Sequence, residues 1–312
     1  MINKLSFPRR RESISLGEGN TPLIRLFNLE KLFDWQGQIW VKAEFQNPTG
    51  SFKDRGSVVE IKDALKQKKS GVICASTGNM AASLSAYAAK AKLNCLVVVP
   101  ENTPEKKLKQ ATICGAKLIK VEGNYDICVK RAKEIAEKEN LLLCGDYTLR
   151  RFGQRTIGKE LAQSKINFDA FIVPIGNGTL GCAIIEGFVE NEKYPQFIGI
   201  QGLDSDPIYK AWTNKKKIVP IKNPQTIASA MKVGDPLDGE LTLDWIKKTE
   251  GTVFSASDNE IIDTQKLLAK QEGIFVEKSS SATLIPLNQN KLNKNLKIVL
   301  ILTGNGLKDN SS

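Results

Sequence analysis

Four short stretches carry residue types that could do chemistry, and the first turns on one lysine. In Asn47-Pro48-Thr49-Gly50-Ser51-Phe52-Lys53-Asp54-Arg55-Gly56, Pro48 fixes its own φ and Gly50 permits an unusual backbone angle. Ser51 is the expected N-cap of a helix, which puts Lys53 in the first turn. The positive end of the helix dipole disfavours a cation there, so the lysine needs a reason. Imine chemistry between its amine and a carbonyl compound is one. A solvated lysine paired with Asp54 is the bland alternative, and for an isolated lysine it would win.

The other three stretches are turns that follow apolar runs. Ser76-Thr77-Gly78-Asn79-Met80-Ala81-Ala82-Ser83 follows Val72-Ile73-Cys74-Ala75 and opens an Ala-rich helix. A strand, a small-polar turn and a helix together aim backbone N–H groups at an anion, although simple helix capping explains this turn equally well on its own. Pro174-Ile175-Gly176-Asn177-Gly178-Thr179-Leu180-Gly181 follows 168–173 and opens another helix. Its close glycines let the backbone wrap a phosphate, with Thr179 as a further donor. No Lys-Ser/Thr pair follows, so this is not a P-loop. The run at 197–201 ends in Gln201 where a dinucleotide site needs an acid. Finally, 297–302 is a continuous apolar run ending in Thr303-Gly304-Asn305-Gly306. The carboxyl ends of parallel strands are where open α/β sheets place ligands.

Composition narrows the chemistry. The chain has 312 residues and no histidine. Ser-His-Asp and Cys-His catalysis and the usual zinc sites are therefore excluded, and acid–base work falls on lysine, carboxylates, tyrosine or a cofactor. Six scattered cysteines without C-x-x-C spacing read as reduced core residues of a cytoplasmic protein. No apolar run reaches the roughly 20 residues of a membrane helix, and residues 1–11 lack the apolar core of a secretory signal. The net charge is +11, but the lysine clusters at 66–69, 106–109 and 215–217 are separated and match no nucleic-acid module. They read as solvated faces, with a positive field that favours an anionic substrate.

These motifs need a scaffold of alternating elements. Strands are expected at 39–45, 72–75, 96–99, 117–121, 141–144, 171–173, 197–201 and 298–303. Helices are expected between them, including 105–114 and 125–139. Ser257-Asp258-Asn259-Glu260 is a capping box for a helix reaching Gln271. The alternation predicts α/β architecture with mostly parallel sheets.

Taken together, the four stretches resemble the fold-type II pyridoxal-phosphate enzymes, and within them the threonine synthases. The likeness spans most of the chain. It includes Gly17-Glu18-Gly19-Asn20-Thr21-Pro22-Leu23, Gly123-Asn124-Tyr125-Asp126, Gly153-Gln154-Arg155-Thr156, Gly199-Ile200-Gln201-Gly202 and Asp206-Pro207-Ile208. The segments 226–236 and 272–277, the Ser-Ser-Ser-Ala run after them and the ending Thr303 to Asp309 are the most specific. Sibling dehydratases and cysteine synthases share the lysine, the Gly-Asn turn and the glycine loop. They do not usually share the wording around Lys53 or the ending.

The resemblance implies a tryptophan synthase β-like fold of two three-layer α/β/α domains. The larger comprises 1–50 and 151–312, and the smaller, 51–150, is inserted between them. It implies pyridoxal 5'-phosphate as cofactor, with Lys53 as Schiff-base lysine and proton shuttle. By the same likeness Asn79 meets the cofactor's phenolic oxygen, Gly176, Asn177, Gly178 and Thr179 hold its phosphate, and Thr303 meets its pyridine nitrogen. Ser76, Thr77 and Gly78 face the substrate, and Arg150 binds a substrate phosphate through its planar donor fork. The implied reaction converts O-phospho-L-homoserine and water to L-threonine and phosphate. The alternative is β-elimination or β-replacement on O-phosphoserine, serine or threonine, dehydratase-like or cysteate synthase-like. A non-catalytic scaffold is a third class, and the joint presence of Lys53, Asn79 and Thr303 argues against it. A small phosphorylated amino acid is the implied partner, with no nucleic acid and no membrane, and a homodimer is the default assembly. Departures from the family pattern bear on substrate choice. They are Met80 for threonine beside the substrate, Tyr147 and Thr148 for Asn-Pro, Phe152 for glutamate, Lys278 inside Glu-Pro-Ala-Ser, and Asn305 for histidine.

Overall fold

The computed structural model describes residues 14–145 and 148–309. The chain begins with β1 (Leu23–Arg25), α1 (Phe27–Leu32) and β2 (Gln38–Lys42). It continues through α2 (Lys53–Lys66), β3 (Gly71–Ala75), α3 (Asn79–Lys90), β4 (Asn94–Pro100), α4 (Glu105–Ile113), β5 (Lys117–Val121), α5 (Tyr125–Lys138) and β6 (Leu141–Leu143). Next come α6 (Thr148–Ala162), β7 (Ala170–Pro174), α7 (Thr179–Val189), β8 (Gln196–Gly202), α8 (Pro207–Asn214), α9 (Gly239–Lys248) and β9 (Thr252–Ala256). The last elements are α10 (Asp258–Glu272), α11 (Lys278–Ser281), α12 (Ile285–Asn288) and β10 (Lys297–Ile301).

The strands form two sheets. Four lie in the order β5-β4-β3-β6, all parallel, and six in the order β1-β2-β10-β7-β8-β9, where only β1 is antiparallel. The central strands β3, β7 and β10 are near-continuous apolar runs because helices cover both faces of a parallel sheet. Leu300 of β10 lies between Val41 of β2 and Ile172 of β7. By this register, residues from both flanks of the four-stranded sheet share one sheet.

Most expected elements appear within one or two residues. The capping box at Ser257 forms as expected, and Gly273 ends α10 in the left-handed region. The strand expected at 39–45 stops at Lys42 because Glu44–Gln46 winds into a 3-10 turn. That expected at 298–303 stops at Ile301, which leaves Thr303 in the turn. The edge strands β1 and β9 were not expected, being short and only half-buried.

Helix α2, which begins at Lys53, is anchored from two sides. Arg55 pairs with Glu44 at 2.7 Å and with Glu160 of α6 at 2.6 Å, and Lys42 pairs with Glu160 at 2.7 Å. Burial alone would raise the Glu160 carboxyl, but Arg55 and Lys42 outweigh it and hold the group at about 2. A Cβ on Gly153 would collide with the Arg55 carbonyl, so the glycine is what lets α6 lie close against α2.

Candidate active site

Three of the expected motifs sit at the carboxyl ends of adjacent strands β2, β10 and β7. Lys53 follows β2, Thr303 follows β10 and the glycine loop follows β7. The chain order does not place them together; the insertion of β10 between β2 and β7 does.

The Lys53 turn is built against the end of β10. Phe52 N donates to Thr303 O at 3.0 Å, Asn305 N donates to Gly50 O at 2.9 Å, and Ser51 and Gly304 form an antiparallel bridge. Gly50 has φ +84°, which only glycine adopts without strain. Ser51 is not the N-cap: that position is Phe52, with no side-chain cap. The buried Ser51 Oγ has no hydrogen-bond partner among the described residues. Asp54 accepts instead from Thr49 N at 2.7 Å and Thr49 Oγ1 at 2.5 Å, which fastens the turn to the helix. Burial raises the Asp54 carboxyl, against bonds from Ser83 and Thr49 that lower it. Lys53 Nζ lies 4.9 Å from the centre of the Phe52 ring.

Thr303 is buried, with its Oγ1 2.8 Å from Ser280 Oγ, and Gly304 N donates to the same Ser280 oxygen at 3.0 Å. Ser280 therefore orients the Thr303 hydroxyl, a role that its place in a serine run did not signal. The glycine loop leads into α7, where Gly178 has φ +88° and Thr179 is the first helical residue. Thr179 Oγ1 is buried with no hydrogen-bond partner among the described residues. A Cβ on Gly176 would come within 2.6 Å of Ala230 O, and one on Gly178 would collide with Thr242 Oγ1. Leu237 N donates to Asn177 Oδ1 at 3.4 Å. The segment after Thr226 thus packs on the loop from outside. An 11-residue helix whose first turn carries an unpartnered hydroxyl fits a phosphate group.

Ser76–Asn79 opens α3 at the end of β3 in the other sheet. Gly78 is exposed, with no atom within 4 Å of the place a Cβ would take, and its N–H is bonded only weakly, at 3.3 Å, to Ser76 Oγ. Asn79 Nδ2 donates to both oxygens of Glu277 at 2.8 Å. Glu277 is half-buried as a residue, but its carboxylate is turned inward against Gly304. Burial raises its pKa to about 7, against the Asn79 bond and the charge of Lys308, which lower it. The sequence drew attention to the Glu277 segment, but nothing in its spacing singled out this carboxylate.

Arg150 corrects an expectation. It is 0% exposed, and its guanidinium is committed to Glu60, to Ser57 Oγ at 3.3 Å, to Gly145 O at 3.2 Å and to Lys53 O at 3.1 Å. In this arrangement it holds the backbone of Lys53 and does not present a donor fork to a substrate. Met80, expected beside the substrate, is buried in the core with Leu84 and Val97. Phe152 is 59% exposed, with its ring 4.6 Å from the Arg155 guanidinium. Thr148 opens α6 and Tyr147 lies outside the described residues. Lys278 N donates to Asp309 Oδ2 at 2.9 Å, and Asn305 Oδ1 accepts from Leu307 N at 3.0 Å. All six cysteines are free and five are buried, and no metal-ligand cluster occurs among the described residues. A cavity of about 290 Å³ is lined by Asn20, Thr21, Leu23, Lys42, Glu160 and Gln163. It borders the Arg55 ion-pair network through Lys42 and Glu160 and is lined by none of Lys53, Asn79, Gly176–Thr179 or Thr303.

Comparison with known proteins shows the family and the fold. The family model described as pyridoxal-phosphate dependent enzyme matches residues 14–304. The threonine synthase of Methanocaldococcus jannaschii is 40% identical, covering 95% of this chain and 76% of its own. That of Bacillus sp. is 37% identical, covering 95% of this chain and 85% of its own. Among solved structures, maize serine racemase superposes with a TM-score of 0.83 at 22% identity, covering 92% of this chain and 88% of that one. Serine racemase from Dictyostelium discoideum superposes with a TM-score of 0.80 at 26% identity, covering 94% of each.

Proposed function

The chain belongs to the pyridoxal-phosphate dependent enzymes, and from that membership we propose that it is a threonine synthase converting O-phospho-L-homoserine and water to L-threonine and phosphate. The observation that carries the reading is the placement of Lys53, Thr303 and the Gly176–Thr179 cup after three adjacent strands, with a buried hydroxyl in the cup that lacks a partner among the described residues. Relatives named threonine synthase, at 33–40% identity, supply the reaction.

In this reading the domains are 1–50 with 151–312, and 51–150, one for each sheet, and the site lies between them. Gly176, Asn177, Gly178 and Thr179 hold the cofactor phosphate, Asn79 meets its phenolic oxygen, and Thr303, oriented by Ser280, meets its ring nitrogen. When bound, pyridoxal phosphate supplies an aldehyde and an electron-accepting ring. Lys53 Nζ would hold the cofactor covalently and, once the substrate amine has displaced it, the freed amine would take and return the proton at the substrate α-carbon. The backbone N–H groups of 76–79 at the start of α3 bind the substrate carboxylate. Thr303 and Ser280 are neutral hydroxyls, which suits elimination chemistry better than transamination. Six free cysteines suit a reducing cytoplasm, and a homodimer is the commonest assembly.

One observation favours a second reading. With Arg150 committed to Glu60, an unphosphorylated hydroxyamino acid, serine or threonine, is favoured as the alternative substrate, handled by β-elimination or β-replacement; O-phosphoserine stays within the alternative without this support. A product screen over O-phosphohomoserine, O-phosphoserine, threonine and serine decides between them. Threonine plus phosphate from O-phosphohomoserine supports the synthase; keto acid from serine or threonine, with no threonine formed, replaces it. Borohydride reduction of the yellow holoenzyme should place the cofactor on the Lys53 peptide.

A further inference from the structure

We propose that Lys308 is a positioning residue that ties the Lys53 turn to both sheets at once. It lies in the ending that marked the family but was given no role there, and its ammonium reaches Thr49, four residues ahead of the start of α2. Lys308 Nζ donates to Thr49 O at 2.6 Å and to Gln110 Oε1 at 2.9 Å, and Gln110 Nε2 donates to the same Thr49 carbonyl at 3.2 Å. The three groups close a polar ring. One corner is the turn after β10, one is α4 of the four-stranded sheet, and the third is the loop that delivers Lys53.

The surrounding contacts make the ring specific. The Lys308 stem crosses Gly50, where a Cβ would lie 3.1 Å from its Cδ. The Thr49 residue it holds by the carbonyl is held by Asp54 at its N–H and hydroxyl. Lys308 also faces the buried carboxylates of Asp54 and Glu277; burial lowers its pKa and these two charges oppose the shift. Glu277 in turn holds Asn79 from the other sheet. A half-buried ammonium that bonds a carbonyl and an amide oxygen from two segments, and faces two carboxylates, fixes the relative places of the groups it bonds, because leaving them unpaired is costly.

The inference rests on Lys53 as the cofactor lysine, and borohydride labelling of the wild type checks that separately: label on another lysine removes that premise whatever Lys308 does. The test compares cofactor-free and loaded protein for Lys308→Met, which keeps the stem length and removes the ammonium. In cofactor-free protein the amides of Phe52, bonded to Thr303 O, and of Asp54 and Arg55, bonded to Ser51 O and Phe52 O, should exchange at least tenfold faster. The amides of β4 should be unchanged. The dissociation constant for pyridoxal phosphate should rise about tenfold, and the fraction reducible onto Lys53 should fall. Equal acceleration of β4 and turn amides, or no acceleration of either, would overturn the proposal. Should Lys308→Met not fold, Gln110→Leu carries the test from the helix side, with a smaller acceleration of the same three amides expected and an unchanged rate counting against it.

Discussion

A buried hydroxyl without a partner is a cost that a ligand can remove, and Thr179 is such a group at the start of α7. Thr179→Val should leave the cofactor-free protein as stable as the wild type or slightly more so, because the orphaned oxygen is gone. Cofactor affinity should fall about tenfold, near 1.4 kcal/mol, the scale of one hydrogen bond to a charged group. Fluorescence titration with pyridoxal phosphate, beside urea unfolding, separates the two effects. Gly178→Asp would be less informative, since any Cβ there meets Thr242 and φ is already +88°. Glu277 makes a second prediction. Its carboxyl lies at about 7 in the fold against an ordinary 4.5. Between those values the native state keeps a proton that the unfolded chain has lost, so stability falls as pH rises from about 4.5 to about 7. The whole effect is at most roughly 3 kcal/mol. Glu277→Gln should flatten that part of the urea-unfolding profile of cofactor-free protein, and an unchanged slope would count against the assignment.

At the scale of elements, α2 and α6 act as one unit. Arg150 joins them through Glu60 and also holds the Lys53 carbonyl. Arg150→Lys keeps the charge but cannot keep four partners in one plane. The expected cost is roughly 1–3 kcal/mol in unfolding, the scale of a charge-assisted hydrogen bond. Turnover should fall by the same factor for phosphorylated and unphosphorylated substrates, because the guanidinium acts through the backbone of Lys53. A loss confined to phosphorylated substrates, with stability unchanged, would restore the phosphate-binding role expected from the sequence.

For the molecule as a whole, the net charge of +11 acts at a distance. Raising ionic strength from 0.01 to 0.15 M shortens the screening length from roughly 30 to 8 Å. The kcat/KM for O-phosphohomoserine should then fall several-fold, while that for serine or threonine, which carry no net charge, should change little. Equal salt dependence for both would show that the field does not steer the substrate.

What the sequence determined by itself was local. Apolar runs marked the buried parallel strands, Ser257 to Glu260 marked the start of α10, and the wording around Lys53, Asn79, Gly178 and Thr303 marked the family. Such features depend on residues a few positions apart and on patterns that repeat along one chain. The tertiary structure alone decided which groups meet. Ser51 reads as an N-cap, but the carboxylate of Asp54 reaches back to Thr49 while Ser51 pairs with Gly304. Arg150 reads as a phosphate ligand, but Glu60 lies 90 residues away in sequence and beside it in space. Glu277, Ser280 and Lys308 lie in segments that marked the family, but nothing local named their partners Asn79, Thr303 and Thr49, which come from other segments and meet them only in the packed fold. A buried charge takes the partner that the packed fold offers, and linear spacing does not encode that choice.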